Sequence, residues 1–173
     1  MVYEPREDSF LLLKYIKDYS KDKKVLDLGT GSGILAEEAL KYAKEVVAAD
    51  IDEEAVFYAQ KQLGNNVKVV CSDLFENIPG KFDLILFNPP YLPSSKYSSV
   101  ATDGGKQGHE TIARFLASAK QHLNPGGVIL MVFSSLTNKE RVDQAIRLFK
   151  FKAKLLETKK LFFETLYLYE IRP

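Results

Sequence analysis

The residues best suited to chemistry form the segment Asn88-Pro89-Pro90-Tyr91, which follows the apolar run Leu84–Phe87. Such a run is typical of a parallel strand buried on both faces, and the two prolines end it. Ligands of open α/β sheets lie just beyond the carboxyl ends of such strands. There Asn88 offers a donor and an acceptor, Pro89 a carbonyl on a stiff backbone and Tyr91 a flat ring. The segment predicts a ligand site, although Asn-Pro-Pro is also compatible with a simple turn.

A glycine-rich turn, Gly29-Thr30-Gly31-Ser32-Gly33, follows a second apolar run at Val25–Leu28. Its glycines permit a tight turn and a close approach of the backbone to a ligand at a helix N-terminus. The dinucleotide fingerprint would require glycine at Ile34. Asp27 would also repel a pyrophosphate, but it would attract a cation. The turn is similar to the S-adenosylmethionine (SAM) loop of Rossmann-like methyltransferases.

Two further predicted strands end in aspartate: Val46–Ala49 leads to Asp50, and Val67–Cys71 leads to Asp73. A carboxylate at the end of the second strand can accept both hydroxyls of a ribose. Asp73 can meet an adenine amino group while Leu74 packs on the face of the base. One such aspartate is often only a cap or turn residue. Several polar strand ends on one sheet, however, favour a cofactor site.

The elements that position these residues alternate between strand and helix, and two adjacent strands follow, which predicts a doubly wound sheet. A first helix opens after Pro5, with Phe10, Leu13 and Ile16 on its apolar face. A capping box of Thr137 and Glu140 opens the last helix. The predicted helices span 5–19, 34–42, 53–63, 108–123 and 137–149, and the predicted strands span 25–28, 46–49, 67–71, 84–87, 128–133, 150–155 and 161–171.

Two segments have distinctive polar patterns. The polar stretch Ser94–Lys106 predicts a mobile loop over the site. Alternating Lys150, Lys152 and Lys154 predict an edge strand protected by charge, an interpretation we prefer to nucleic-acid binding.

Composition restricts the remaining possibilities. The 173 residues suit a single domain, and the net charge of +1 does not indicate a whole-surface attraction to nucleic acid, although a local basic patch stays open. No apolar run approaches the roughly 20 residues that span a bilayer, and the N-terminus lacks a secretory signal. One cysteine, Cys71, and two histidines separated in sequence argue against a metal site in this chain. We expect a cytoplasmic protein without a metal.

The opening Val2–Leu12 resembles the Tyr-Glu-Pro-x-Glu-Asp-Ser/Thr-Phe-Leu opening of eukaryotic and archaeal HemK-like methyltransferases. The glycine-rich segment Asp103–Glu110 is similar to the one that this family carries after Asn-Pro-Pro-Tyr. The resemblance implies methylation of the glutamine of the Gly-Gly-Gln motif in class-1 translation termination factors, with SAM as the cofactor.

The resemblance also implies a Rossmann-like class I fold, with a seven-stranded, mostly parallel sheet in the order 3-2-1-4-5-7-6 and helices on both faces. Residues 1–173 would form one domain, in which residues 1–20 cover the cofactor site. The implied cofactor-binding residues are Ser9, Asp27, Gly29, Gly31, Gly33, Asp50, Asp73, Leu74 and Asn88. The implied catalytic residues are Asn88, Pro89 and Tyr91, and the implied substrate-binding residues are Asn88, Pro89, Pro90 and Tyr91.

Other functions stay open at this point. The same tetrapeptide serves adenine methylation of DNA or RNA, which would require base flipping and a basic surface. Protein lysine methylation and a non-catalytic cofactor-binding module are further alternatives.

The strand 67–71 would lie at the sheet edge in this order. It is apolar, with Lys68 as its only charge, so either a helix covers it or another chain pairs with it. The resemblance implies a small zinc-binding activator protein, which we predict adds a strand beside 67–71.

Overall fold

The computed structural model of the chain describes residues 5–90 and 109–173. Its helices and strands follow the predicted alternation. The helices are α1 (Glu7–Ser20), α2 (Ile34–Leu40), α3 (Glu53–Leu63), α4 (Glu110–Ala119) and α5 (Lys139–Leu148). The strands are β1 (Lys24–Leu28), β2 (Glu45–Asp50), β3 (Lys68–Cys71), β4 (Phe82–Phe87), β5 (Leu123–Ser134), β6 (Lys152–Lys160) and β7 (Thr165–Arg172).

The strands form one seven-stranded sheet in the order β3-β2-β1-β4-β5-β7-β6, as predicted. Strands β1 to β5 run parallel, whereas β7 is antiparallel to both β5 and β6. The parallel strands therefore bring their carboxyl ends to the same edge of the sheet, where the predicted polar residues lie. The predicted edge positions of β3 and of the lysine-rich β6 are confirmed.

Side chains of the central strands alternate between two apolar layers. Leu26 and Ile85 pack in one layer with residues of α4 and α5. Val25 and Leu84 pack in the other with residues of α1, α2 and α3. Both faces of the sheet are thus covered by helices, as an all-apolar β4 requires.

Several local predictions are wrong. The last strand begins at Thr165 and not at Leu161, because β6 extends to Lys160 and residues 161–164 form the turn between β6 and β7, closed by a hydrogen bond from the Leu161 N–H to the Glu164 carbonyl. Asn138 caps α5, because its side chain accepts a hydrogen bond from the Arg141 N–H at 3.3 Å, and Thr137 lies in the preceding 3-10 turn. Helix α4 ends at Ala119, because residues 120–122 tighten into a 3-10 turn and Leu123 already pairs with β4. Phe10 is nearly half exposed, since α1 buries the neighbouring Leu11 and Leu12 instead.

Within the described ranges, no helix is long and apolar enough to cross a membrane. The same ranges contain no group of three or more His, Cys, Asp or Glu side chains arranged for a metal ion.

Candidate active site

A cavity of about 450 Å³ opens at the carboxyl ends of β1, β2 and β4. Its wall includes the glycine-rich turn, the N-terminus of α1, the start of α4 and the turn between β6 and β7. The predicted site residues that line it are Ser9, Gly29, Gly31, Asp50, Asp73, Leu74, Asn88, Pro89 and Pro90. Asp27 and Gly33 are not among its lining residues. Tyr91 and the segment 94–106 lie outside the described residues.

The glycine-rich turn has a positive φ at two of its glycines, Gly29 and Gly33. Gly29 has φ +73°, and a Cβ there would lie 3.8 Å from the carbonyl oxygen of Asn88, in the space between the two motifs. Gly33 has φ +83°, and a Cβ there would lie 3.4 Å from Cδ1 of Leu63. Both conformations disfavour residues with a side chain. The positive φ therefore favours glycine at both positions, and at Gly33 the turn also lies directly against α3.

Asp27 is fully buried beneath the turn. Its Oδ2 accepts hydrogen bonds from the Thr30 hydroxyl at 2.6 Å and the Ala36 N–H at 3.1 Å, whereas its Oδ1 has no partner among the described residues. Burial raises the pKa of Asp27 to about 6, against the opposing effect of these two hydrogen bonds. In this position Asp27 holds the turn against the N-terminal end of α2.

Asp50 faces the cavity and is fixed by backbone donors. Its Oδ2 accepts from the Gly31 N–H at 2.8 Å, and its Oδ1 accepts from the Asp52 N–H at 3.0 Å. Burial raises the pKa of this carboxyl group, while the backbone hydrogen bonds act in the opposite direction. Each oxygen retains a second lone pair. Asp50 can therefore accept two further hydrogen bonds from a ligand.

The end of β3 supplies an acidic residue and an apolar residue. Asp73 forms an ion pair with Arg114 of α4 at 2.8 Å. Leu74 has φ +48°, an uncommon conformation for a residue other than glycine, and its carbonyl accepts from the Ser72 hydroxyl at 2.9 Å. Such backbone outliers concentrate at ligand sites. Arg114 was not identified from the sequence, because nothing near it in the chain marks α4 as a wall of the cavity.

Asn88 lines the cavity at the end of β4. Its side-chain Nδ2 donates to the Ser9 hydroxyl at 3.3 Å, which joins the start of α1 to the end of β4. Its Oδ1 is buried and has no hydrogen-bond partner in the described parts of the chain. The preceding Phe87 stacks on Phe115 with 4.0 Å between ring centroids, which fixes the strand end. Because an unsatisfied buried acceptor costs about 1–3 kcal/mol, Asn88 Oδ1 is prepared for a donor from a ligand.

The start of α1 and the residue before it form part of the cavity wall, through Arg6, Glu7, Asp8 and Ser9. Hydrogen bonds to the last two strands hold the helix in place: the Tyr15 hydroxyl donates to Glu157 at 2.9 Å, and the Tyr19 hydroxyl donates to Glu170 at 2.5 Å. Burial and Glu170 raise the pKa of Tyr19 to about 12, so this hydroxyl keeps its proton at physiological pH.

The turn between β6 and β7 also belongs to the wall, and sequence reasoning missed it. Leu161, Glu164 and Leu166 line the cavity. The only signal in the sequence is a single acid, Glu164, within the apolar stretch 161–168. The antiparallel return of β7 beside β5 brings this residue to the site.

The charges of the wall favour a cationic ligand. Its carboxyl groups belong to Glu7, Asp8, Asp50, Asp52, Asp73 and Glu164, and its guanidinium groups belong to Arg6 and Arg114. An excess of carboxylates attracts a sulfonium or ammonium group and disfavours a pyrophosphate. The wall also provides ribose-type acceptors on Asp50 and an apolar surface on Leu74. These residues fit SAM.

The family model of the methyltransferase small domain matches residues 7–162. A Methanocaldococcus jannaschii protein provisionally named protein N5-glutamine methyltransferase is 43% identical over 175 residues, which is 95% of this chain and 88% of that protein. A Haemophilus influenzae ribosomal RNA small subunit methyltransferase C is 37% identical over 127 residues, which is 70% of this chain but 35% of that enzyme.

Among solved structures, the E. cuniculi Mtq2–Trm112 complex, which is described as responsible for methylation of the translation termination factor eRF1, contains a similar chain. The TM-score is 0.82 with 26% identity, over 98% of this chain and 97% of that one. The extent of these matches and the geometry of the cavity lead to one conclusion. The chain belongs to the methyltransferase small domain family, and it is a SAM-dependent methyltransferase.

Proposed function

We propose that the chain methylates the side-chain amide of a protein glutamine, namely that of the Gly-Gly-Gln motif in a class-1 translation termination factor. The observation that carries this proposal is the Oδ1 atom of Asn88, a buried acceptor without a partner among the described residues, at a cavity that fits SAM. A primary amide brings N–H donors that suit such an acceptor. The similarity to the M. jannaschii protein and to Mtq2 supports the same substrate class.

Cofactor binding would be shared by the strand ends. In this proposal Asp50 accepts the ribose hydroxyls, Asp73 accepts from the adenine amino group and Leu74 packs on the base. Ser9, Asp27, Gly29, Gly31, Gly33 and Asn88 complete the proposed cofactor site, with Asp27 and Gly33 acting through the shape of the glycine-rich turn. When bound, SAM supplies an electrophilic methyl group, whose bond to sulfur is exchanged for a bond to the amide nitrogen.

The residues of this chain must compensate for a weak nucleophile, because the nitrogen lone pair of an amide is delocalised into its carbonyl. Asn88 Oδ1 and the Pro89 carbonyl would accept the amide N–H groups and stabilise the positive charge that develops on nitrogen. Pro90 keeps this turn rigid, and Tyr91 would hold the amide plane. Such orientation supplies up to about 7–11 kcal/mol in ideal cases. The surplus proton of the methylated nitrogen then leaves to water.

Methylation of a nucleic-acid base is the second candidate. The similarity to the H. influenzae ribosomal RNA enzyme favours it, and an exocyclic amino group is also a planar nitrogen. That similarity leaves most of the RNA enzyme's length unmatched, however.

Methyl transfer from labelled SAM separates these candidates. The substrates are the class-1 termination factor of the same organism, its variant with glutamine of the Gly-Gly-Gln motif replaced by alanine, ribosomal RNA and DNA. We expect label only in the unaltered factor. Label in nucleic acid, or equal label in the glutamine-to-alanine variant, would overturn the proposed substrate.

We also propose a partner, a small zinc-binding activator protein that pairs with the edge strand β3. Within β3, Val69 and Val70 are only partly buried and Cys71 is exposed. Helix α3 packs against β3, and its residue Phe57 is 75% exposed. An apolar edge with Lys68 as its only charge favours pairing with another chain. The similarity to Mtq2, which is solved in complex with Trm112, supports this class of partner.

Val69→Asp tests the partner proposal. The variant should abolish complex formation with the activator, because it places a charge in the pairing edge. Ala153→Asp, on the opposite edge strand β6, is the matched control and should leave the complex intact. Gel filtration of the co-expressed proteins provides the measurement, with circular dichroism to check the fold. A complex that survives Val69→Asp would move the interface elsewhere.

A further inference from the structure

The turn between β6 and β7 carries a pair of exposed aromatic residues. Phe162 and Phe163 are 91% and 85% exposed, the highest values among the large apolar side chains of the described residues. Their rings pack edge to face, with 4.6 Å between centroids. Aromatic rings held outside the core in this way are typical of binding surfaces, where they act as anchors.

The same turn contributes to the cavity. It is closed by a hydrogen bond from the Leu161 N–H to the Glu164 carbonyl at 2.8 Å. Leu161 and Glu164 line the cavity, while the two phenylalanines between them project into solvent. The aromatic pair is therefore continuous with the rim of the active site. We name residues 161–164 the rim turn.

The rim turn is held in place by its neighbours. Lys159, just before it, forms an ion pair with Glu7 at the start of α1. The Thr165 N–H, just after it, donates to the Ser135 hydroxyl at 3.0 Å. A ligand that binds this turn thus meets a surface that is largely ordered in advance, which lowers the entropic cost of binding.

Glu164 shows what kind of ligand the rim turn suits. Its Oε2 atom is buried and lacks a hydrogen-bond partner within residues 5–90 and 109–173. A carboxylate needs a donor, which a polypeptide backbone supplies at every residue other than proline. The bases of a nucleic acid also carry donors, but its phosphates would be repelled by this charge. The combination of a carboxylate inside and aromatic anchors outside favours a polypeptide.

We propose that the rim turn is the docking element for the polypeptide that carries the target glutamine, an inference that rests on the proposed function. Glu164 accepts an N–H from the segment next to the glutamine, and Phe162 and Phe163 bind apolar surface of the same protein outside the cavity. Asn88 acts on the reacting amide, whereas the rim turn selects and positions the chain that bears it.

The double variant Phe162→Ser/Phe163→Ser tests the outer contact in steady-state assays with the intact termination factor. We expect KM for the factor to rise about tenfold or more, as for the loss of anchor residues. The kcat and the affinity for SAM, measured by calorimetry, should stay close to those of the unaltered enzyme. Leu148→Ser, which removes a 73% exposed apolar side chain from the end of α5, is the matched control and should leave KM unchanged.

Glu164→Ala tests the inner contact and should also raise KM for the factor. Glu164→Gln should raise KM less than Glu164→Ala does, because glutamine retains an acceptor oxygen.

Unchanged KM in both sets of variants would overturn the docking proposal. Weaker SAM binding by Glu164→Ala would overturn it too, since it would assign Glu164 to the cofactor. If the unaltered enzyme methylates the factor and the variants match it, only the docking proposal fails. If the unaltered enzyme does not methylate the factor, both proposals fall.

Discussion

The two sides of the cavity differ in how their acceptor groups are satisfied. On the β1–β3 side, both oxygens of Asp50 accept backbone N–H groups, and Asp73 is paired with Arg114. On the β4–β7 side, Asn88 Oδ1 and Glu164 Oε2 have no partner among the described residues. Asp27 Oδ1 shares this property, but it is buried behind the glycine-rich turn and does not line the cavity.

This difference indicates two kinds of binding. A wall whose acceptors already have backbone or side-chain donors is fixed before a ligand arrives, which suits a cofactor of constant shape. Acceptors without donors form hydrogen bonds only when a substrate enters. Binding therefore removes the free-energy penalty of leaving them unsatisfied in the empty enzyme. The side chains of the β4–β7 side should therefore control turnover and substrate recognition. Those of the β1–β3 side should control SAM affinity and loop stability.

Asn88→Ala should have the largest effect. It removes the acceptor proposed to orient the amide, and kcat should fall about 10²–10³-fold, the size expected for one electrostatic contact to the transition state. The affinity for SAM should fall much less. Rapid-quench kinetics and calorimetry measure the two quantities.

Pro90→Ala is the matched control for Asn88→Ala, since it alters the same turn without deleting a polar group. Its effect on kcat should be milder. Turnover near that of the unaltered enzyme in Asn88→Ala would remove Asn88 from catalysis and with it the contrast between the two sides.

The pH dependence of stability tests the buried carboxyl group of the β1–β3 side. The pKa of Asp27 is about 6 in the folded chain, against an ordinary value of 3.8. Between these values the folded chain binds the proton more tightly than the unfolded chain, so Asp27 makes folding less favourable as the pH rises from about 4 to 6. The resulting decrease in the free energy of unfolding persists above pH 6 and amounts to about 3 kcal/mol at most.

Asp27→Asn removes this titration. Relative to the unaltered chain, the variant should gain stability as the pH is raised from 4 to 7. Denaturant unfolding at the two pH values gives the difference, in which the contributions of other titrating groups cancel. A constant difference between the two proteins would contradict a raised pKa for Asp27.

Asp50→Ala should weaken SAM binding by about 1.5–3 kcal/mol, because it deletes the proposed acceptors of the ribose hydroxyls. The kcat at saturating SAM should change less than in Asn88→Ala. Arg114→Gln is the comparison variant, and its effect on SAM affinity should be smaller. Its half-exposed ion pair with Asp73 contributes no more than about 1 kcal/mol to the stability of the wall. Calorimetry that gave unchanged SAM affinity for a folded Asp50→Ala protein would remove this residue from the cofactor site.

The alternation of strands and helices was predictable from the sequence, because apolar runs that end in Asp or Asn mark buried parallel strands. The strand order was implied only by the resemblance to Rossmann-like methyltransferases. Boundaries were less predictable where two local signals compete. Thr137 and Glu140 form a plausible capping box, yet Asn138 adopts φ 62° and caps the helix, because the Ser134 hydroxyl accepts from the Leu136 N–H and begins a separate turn.

The sequence by itself determined the residues of the site that follow a strand directly, namely those of the glycine-rich turn, Asp50, Asp73 and the Asn-Pro-Pro segment. These residues come together because the strands run parallel, so that the carboxyl ends of all of them lie at one edge of the sheet. Only the tertiary structure decided which distant residues join them. Ser9 had been assigned to the site only through the resemblance, and it reaches Asn88 across 79 positions of the chain. Arg114 and Glu164 arrive from elements whose placement depends on how helices and the final hairpin bury the two faces of the sheet, and no local pattern encodes that placement.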